Sequence, residues 1–288
     1  MHLKGTNLNK PSGIGKLDRE RLSLLLRGTK YAICIDEAKK LLNLQAPYSS
    51  KLLARWAKKG WLSRIKRGIY IPVPLESETA DVVLEDPCII ATKLYSPCYV
   101  GGWRALEHYG LTEQLFQTIT IFTTQKPRDR HPKIKGIPFI LKTIPKKNLF
   151  GLKTQWRDGI KVLMSSPTRT IVDLLINPNI VGGIRNVVDV LINYLKSDFK
   201  NLKMLVNYLK LINNSAAFKR LGFLMEEYAP KEKQIIQSCN QFSTISKTKL
   251  DPKLTSKKFV TRWRLWVPKN WEKQYDKKTR NNGFLEKT

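Results

Sequence analysis

His108, flanked by Glu107 and Tyr109, is the first place where this sequence could do chemistry, because an imidazole beside a carboxylate can move protons near neutral pH. A general base needs a nucleophile to activate, and no serine or cysteine nucleophile motif accompanies it. Asp173 is a conceivable metal carboxylate, yet the D…ExK arrangement of a nuclease is missing. Arg169, four residues earlier, can pair with it along a helix surface instead. Gly101-Gly102 ahead of a helix could bring backbone N–H groups to an anion. The stretch has no GxGxxG and no GKS or GKT, so tight packing is the expected reason for both glycines. Cys34, Cys88, Cys98 and Cys239 include no CxxC pair and lie away from His2, His108 and His131, which speaks against zinc. No catalytic residue, metal or cofactor is expected.

Charge is the stronger chemical signal. The 288 residues carry a formal net charge of +29. No fold requires such an excess; it costs self-repulsion and implies a polyanionic partner, the other reading being a generally basic, Lys-rich chain. Nucleic acid is the first candidate; an acidic protein surface or an anionic membrane are the others. Between Ala38 and Leu75 stand nine Lys or Arg and no Asp or Glu. Tyr48, Ser49, Ser50, Lys51 and Arg55 offer small polar and basic groups suited to base edges in a major groove. Lys58 and Lys59 follow on the same helix, and Arg64, Lys66 and Arg67 on a hairpin could reach the flanking backbone or the minor groove. Lys126, Arg128, Arg130, Lys133 and Lys135 in KPRDRHPKIKG are solvated charge by themselves, or a second positive surface together with the Lys-rich end of the chain.

These cations need elements to position them. KLDRERLSLLLR predicts a helix with Leu17, Leu22, Leu25 and Leu26 near one face. Asp36 is a plausible cap for a second helix with Ala38, Leu41 and Leu42 inward. Ala46-Pro47 breaks it, and Ser49 or Ser50 can cap a third helix that ends at Gly60. On that helix Leu52, Leu53 and Trp56 form an apolar face; with Trp61 and Ile65 they are core residues, not base-stacking ones. WLSRIKRGIYIPV alternates as two strands around Arg67-Gly68. Three helices and a hairpin are the element order of a winged helix-turn-helix over residues 16–75, behind a polar arm at 1–15. A boundary is expected near 75–87. Beyond it helices and strands mix: a helix at 88–95, a strand at 96–102, a helix at WRALEHYG, strands at TITIFTTQ, IPFILKTIP and KVLMSS, and a helix from Ser166-Pro167-Thr168. Helical patterns then fill 185–228, and RWRLWVP alternates like a strand. The fold class is α+β: an N-terminal winged helix-turn-helix followed by a larger mixed α/β domain over 88–288, with a basic, Trp-containing extension from about 230.

The N-terminus lacks the apolar stretch of a signal peptide, and isolated cysteines suit a reducing cytoplasm. No apolar window approaches the roughly 18 residues of a membrane span.

WLSRIKRGIYIPV after a basic helix, then YVGGWRALEHYGLTEQ, TITIFTT, SSPTRTIVDLL and RLGFLMEEY, in that order, resemble the AbiEi-type antitoxins of type IV toxin–antitoxin systems. The resemblance covers residues 15–230; the basic stretch beyond about 230 departs from it. It implies a non-enzymatic bacterial repressor with a winged helix and an antitoxin domain, involved in abortive infection of phage. Such a protein binds inverted repeats in its own promoter, with pairing of protomers on the DNA, and counteracts a nucleotidyltransferase-like toxin encoded alongside. Two other readings stay open: a transcription factor with a ligand- or protein-sensing C-terminal domain and no toxin, or a nuclease or nucleotidyltransferase fused to a winged helix.

Overall fold

The computed structural model describes residues 13–29, 31–74, 86–268 and 271 of a mixed α+β chain. Most of the expected arm (1–12), the boundary stretch 75–85 and the tail from 272 lie outside the described residues. The chain divides into two units. One holds the residues up to Tyr99 with Ile121–Thr143 and Thr154–Leu163; the other holds Val100–Thr120, Ile144–Lys153 and the chain from Met164.

In the first unit, α1 (Lys16–Gly28) turns Leu25 fully inward and Leu22 partly so, while Leu17 and Leu26 are exposed. The expected face is corrected here: leucines at 17, 22, 24, 25 and 26 surround the helix, so their spacing selects no single face. β1 (Ile33–Cys34) runs straight into α2 (Ile35–Leu42). Cys34, not Asp36, caps α2: its Sγ accepts the Glu37 N–H at 3.4 Å, and Glu37 Oε2 accepts the Cys34 N–H at 2.9 Å. This is a capping box with a thiol in the place of a hydroxyl. Ala38 is buried, but Leu41 is exposed.

α3 (Ala46–Lys58) starts earlier than expected. Pro47 sits in its first turn, where a missing N–H costs nothing, so Ala46-Pro47 opens this helix; it does not break α2, which ends at Leu42 with Asn43 in the left-handed conformation at φ 50. Ser49 is therefore inside the helix, donating its hydroxyl to the Gln45 carbonyl at 3.1 Å. β2 (Leu62–Lys66) and β3 (Ile69–Pro72) pair antiparallel with a bulge between Arg64 and Lys66, and β1 completes the order β1-β3-β2. Gly68 turns the hairpin at φ +80, a conformation that a side chain would strain. Trp56 and Trp61, 6.5 Å apart between ring centroids, join Leu25, Ile33, Leu53 and Tyr70 in one core. Ile65, on the bulge, is only half-buried.

α4 (Pro87–Tyr95) is capped by Asp86, whose carboxylate accepts the Cys88 N–H at 2.8 Å and meets Arg157 at 2.8 Å. Lys93 ties α4 to the helices before it, donating to the Ala32 carbonyl at 2.6 Å and to Glu37 at 3.1 Å. The middle of the chain then supplies β4 (Cys98–Gly101), α5 (Trp103–His108), β5 (Ile119–Thr123), β6 (Lys133–Ile134), β7 (Ile137–Thr143), β8 (Leu152–Arg157) and β9 (Ile160–Ser165). Their sheet order is β6-β7-β5-β4-β9-β8.

In the second unit, Gly102 follows β4 at φ +60, and a Cβ there would lie 2.7 Å from Ile180 and 2.9 Å from Thr120. Close packing accounts for this glycine. α6 (Pro167–Ile176) is capped by Ser166, and its Arg169 and Asp173 form a buried ion pair at 3.1 Å. α7 (Ile184–Lys196), α8 (Leu202–Ile212) and α9 (Ser215–Tyr228) match the helical expectation for 185–228. The following α10 (Lys233–Gln241), β10 (Thr248–Lys249), β11 (Lys258–Val260) and β12 (Leu265–Val267) form the basic extension. Only Leu265–Val267 of RWRLWVP is strand, because residues 261–264 turn between β11 and β12.

That extension is packed, not peripheral. Trp263 is fully buried against Gly222 of α9, where any Cβ would overlap its six-membered ring, and its indole N–H donates to Glu226. Arg220 is buried and donates to four carbonyls: Leu175 at 2.8 Å and Ile176 at 3.1 Å at the end of α6, and Lys249 and Leu250 at 3.0 Å each. Burial lowers its pKa to about 10, with Asp251 acting in the opposite direction. Asp251 in turn accepts the Ile184 N–H at 2.9 Å at the start of α7.

Candidate nucleic-acid interface

The hydrophobic core sets the orientation of α3. With Ser49, Leu52, Leu53 and Trp56 buried, the opposite stripe of Tyr48, Lys51, Arg55 and Lys58 faces solvent. The steps of three, four and three residues place these four side chains one above another along the helix. A major groove about 12 Å wide accepts such a helix, so the stripe has the dimensions to meet base edges and both phosphate rims.

Ser49 leaves the group of exposed polar residues. It is fully buried with its hydroxyl committed to Gln45, so it cannot reach a base. Ser50 is half-buried at the edge of the stripe. Arg55 is exposed but engaged, its Nη2 lying 2.7 Å from Asp18 of α1. Lys59 has turned back over the core, with its ammonium 4.6 Å from the Trp61 ring centroid. Among the described residues, no acid forms an ion pair with Lys51, Lys58, Arg64 or Arg67, and all four are exposed.

The hairpin and the basic loop both approach Tyr95. Lys66 places its ammonium 5.3 Å from the ring centroid of Tyr95, at the end of α4. Burial, and after it the carboxylate of Asp129, raises the pKa of that same tyrosine. Tyr95 therefore has the hairpin on one side and the loop of KPRDRHPKIKG within electrostatic reach. Hydrogen bonds fix the base of the loop: Thr123 donates to the Tyr95 carbonyl at 2.6 Å, and Gln125 to the Ser96 carbonyl at 2.6 Å. Asp129 folds inward on the His131 N–H at 2.8 Å, while Lys126, Arg128, Arg130 and Lys133 are exposed and Lys135 is half-buried in the turn to β7.

Sequence reasoning missed Asp18 and Tyr95. Asp18 lies 37 residues from Arg55, and nothing local marks either as a partner. Comparison with known protein families finds no match, and comparison with curated proteins finds no significant relative.

Proposed function

We propose that this chain binds double-stranded DNA through a winged helix-turn-helix in its first unit. α3 enters the major groove and the β2–β3 hairpin acts as the wing on the adjoining backbone. The observation that carries this reading is the stripe of Tyr48, Lys51, Arg55 and Lys58 continuing into Arg64 and Arg67, with Lys51, Lys58, Arg64 and Arg67 unpaired by acids among the described residues. The order helix, short strand, two helices and a hairpin that pairs back to that strand also supports it. On the motif resemblance, the DNA is an inverted repeat in the promoter of a two-gene operon. The protein is then the autoregulating repressor and the antitoxin against a nucleotidyltransferase-like toxin, a non-catalytic role.

A mobility shift on the DNA upstream of the gene tests the first part, with random duplex as the competitor. Retarded complexes that random DNA removes as readily as operator DNA would reject sequence-specific binding. Co-expression with the adjacent gene tests the second part, scored as rescue of growth. Operator binding without rescue would leave a repressor that is not an antitoxin.

A further inference from the structure

We propose that the second unit carries a phosphate-binding cleft between the approaches to α8 and α10. The cleft has a volume of about 580 Å³ and is lined by Lys200, Lys203, Lys231 and Lys233 over a floor that includes Leu202 and Ile235. Four lysines line one concavity whose one acidic lining residue, Glu232, is already paired with Lys200 at 2.8 Å. The local excess of positive charge has no partner of opposite sign within the lining. An ammonium group is a compact point charge suited to phosphate oxygens, and several around one concavity favour a ligand with more than one phosphoryl group.

Hydrogen bonds and burial anchor the frame that holds these lysines. The Tyr194 hydroxyl, buried, accepts the Asn201 N–H at 2.8 Å and meets the Thr168 hydroxyl at 2.9 Å, which anchors the segment before α8. Asn201 Oδ1 accepts the Met204 N–H at 2.9 Å and so caps α8. Ile235, Ile236 and Cys239 bury α10, which fixes the other wall. No aromatic ring lines the cleft, so nothing there can stack on a base. The ligand is held by its phosphates alone: an inorganic or organic polyphosphate, or the backbone of a nucleic acid. The inference does not depend on α3 and the hairpin binding DNA.

The test compares the full chain with K203A/K231A/K233A and with K146A/K147A/K153A, a control that removes equal charge from the same unit outside the cleft. All six lysines are exposed, so the fold should persist, and thermal unfolding checks that. Calorimetry with inorganic tripolyphosphate is expected to show one site in the full chain and in the control, weakened tenfold or more in the cleft variant. That outcome assigns free polyphosphate as the source. If tripolyphosphate does not bind, a random-sequence duplex should show a salt slope reduced by about two to three units in the cleft variant alone, which assigns a nucleic-acid backbone. Equal behaviour of both variants towards both probes overturns the cleft. A hairpin variant run alongside separates this failure from loss of the DNA-binding reading, because its defect would remain.

Discussion

Arg55 Nη2 lies 2.7 Å from Asp18 Oδ1, so the centre of the exposed α3 stripe is held by a carboxylate from α1. Arg55 is half exposed, and an ion pair in that setting contributes only about 0–1 kcal/mol to stability. On the proposed DNA-binding reading its larger effect is on binding, because DNA would have to displace Asp18 or accept a guanidinium whose charge is already partly compensated. Asp18→Asn is therefore expected to tighten DNA binding about two- to fivefold at low salt, with a stability change under about 1 kcal/mol. Fluorescence anisotropy and urea unfolding measure the two quantities. Weaker binding by the variant would mean instead that Asp18 orients Arg55 for a contact that DNA retains.

The hairpin cations differ in their surroundings, and this separates their expected effects. Arg64 and Arg67 are exposed without ion-pair partners among the described residues, whereas Lys66 rests on Tyr95. Removing a cation that neutralises one phosphate should reduce the salt slope of binding by about 0.9. Arg64→Ala with Arg67→Ala is expected to lower the slope by about two units, equally for operator and random DNA. Lys66→Ala should have the smaller effect, since its ammonium is drawn back to the body of the unit. Lys51→Ala should discriminate the other way, weakening operator DNA more than random DNA if α3 reads bases. A slope unchanged by the double arginine variant would remove the hairpin from the interface.

Glu37 gives the first unit an acid-sensitive joint. Burial raises its pKa, but the Cys34 N–H and the Lys93 ammonium bonded to its carboxylate outweigh that and hold it below the ordinary value of 4.5. A carboxyl with a depressed folded-state pKa adds stability above 4.5 and loses it as pH falls through the folded value. The thiol of Cys34, which also faces it, is pushed up by burial and keeps its proton throughout that range. Glu37→Gln should thus be less stable than the natural protein at neutral pH, and the gap should narrow as pH drops below 4.5. Thermal unfolding of both proteins from about pH 7 to 3 measures the difference, in which the other acids cancel. A gap that stays constant with pH would mean that the Cys34 N–H and Lys93 together do not favour the ionised carboxylate.

What is legible in the sequence depends on how local the deciding interactions are. The α3 stripe and the inward Trp56 follow from 3.6-residue periodicity, and Gly68 follows from the turn that it must make. The start of α3 escapes such a reading because a proline reads as a helix breaker but sits without cost in a first turn, which moves Ser49 from cap to interior. Cys34 goes unmarked as a cap because a thiol rarely serves as one. The pairings of Arg55 with Asp18 and of Lys66 with Tyr95 join residues far apart in sequence, with no pattern to announce them. The extension beyond 230 reads as basic and open in role for the same reason. Its structure depends on Arg220 reaching carbonyls about 30 residues away and on a tryptophan that needs a glycine opposite it.

The packing of that tryptophan gives the sharpest stability test. Trp263 is fully buried on Gly222, and its N–H is satisfied by Glu226. Replacing a buried tryptophan with alanine removes its apolar packing and leaves a cavity, typically costing about 3–5 kcal/mol. Trp263→Ala should lose about that much in urea unfolding, and Gly222→Ala should also destabilise, because its methyl must displace the indole. The stripe on α3 belongs to the other unit, so DNA affinity of the folded protein should change little. If Trp263→Ala unfolds as the natural protein does, the extension is not integral to the second unit. If it is stable but loses DNA binding, the basic stretch after 230 carries nucleic-acid contacts itself.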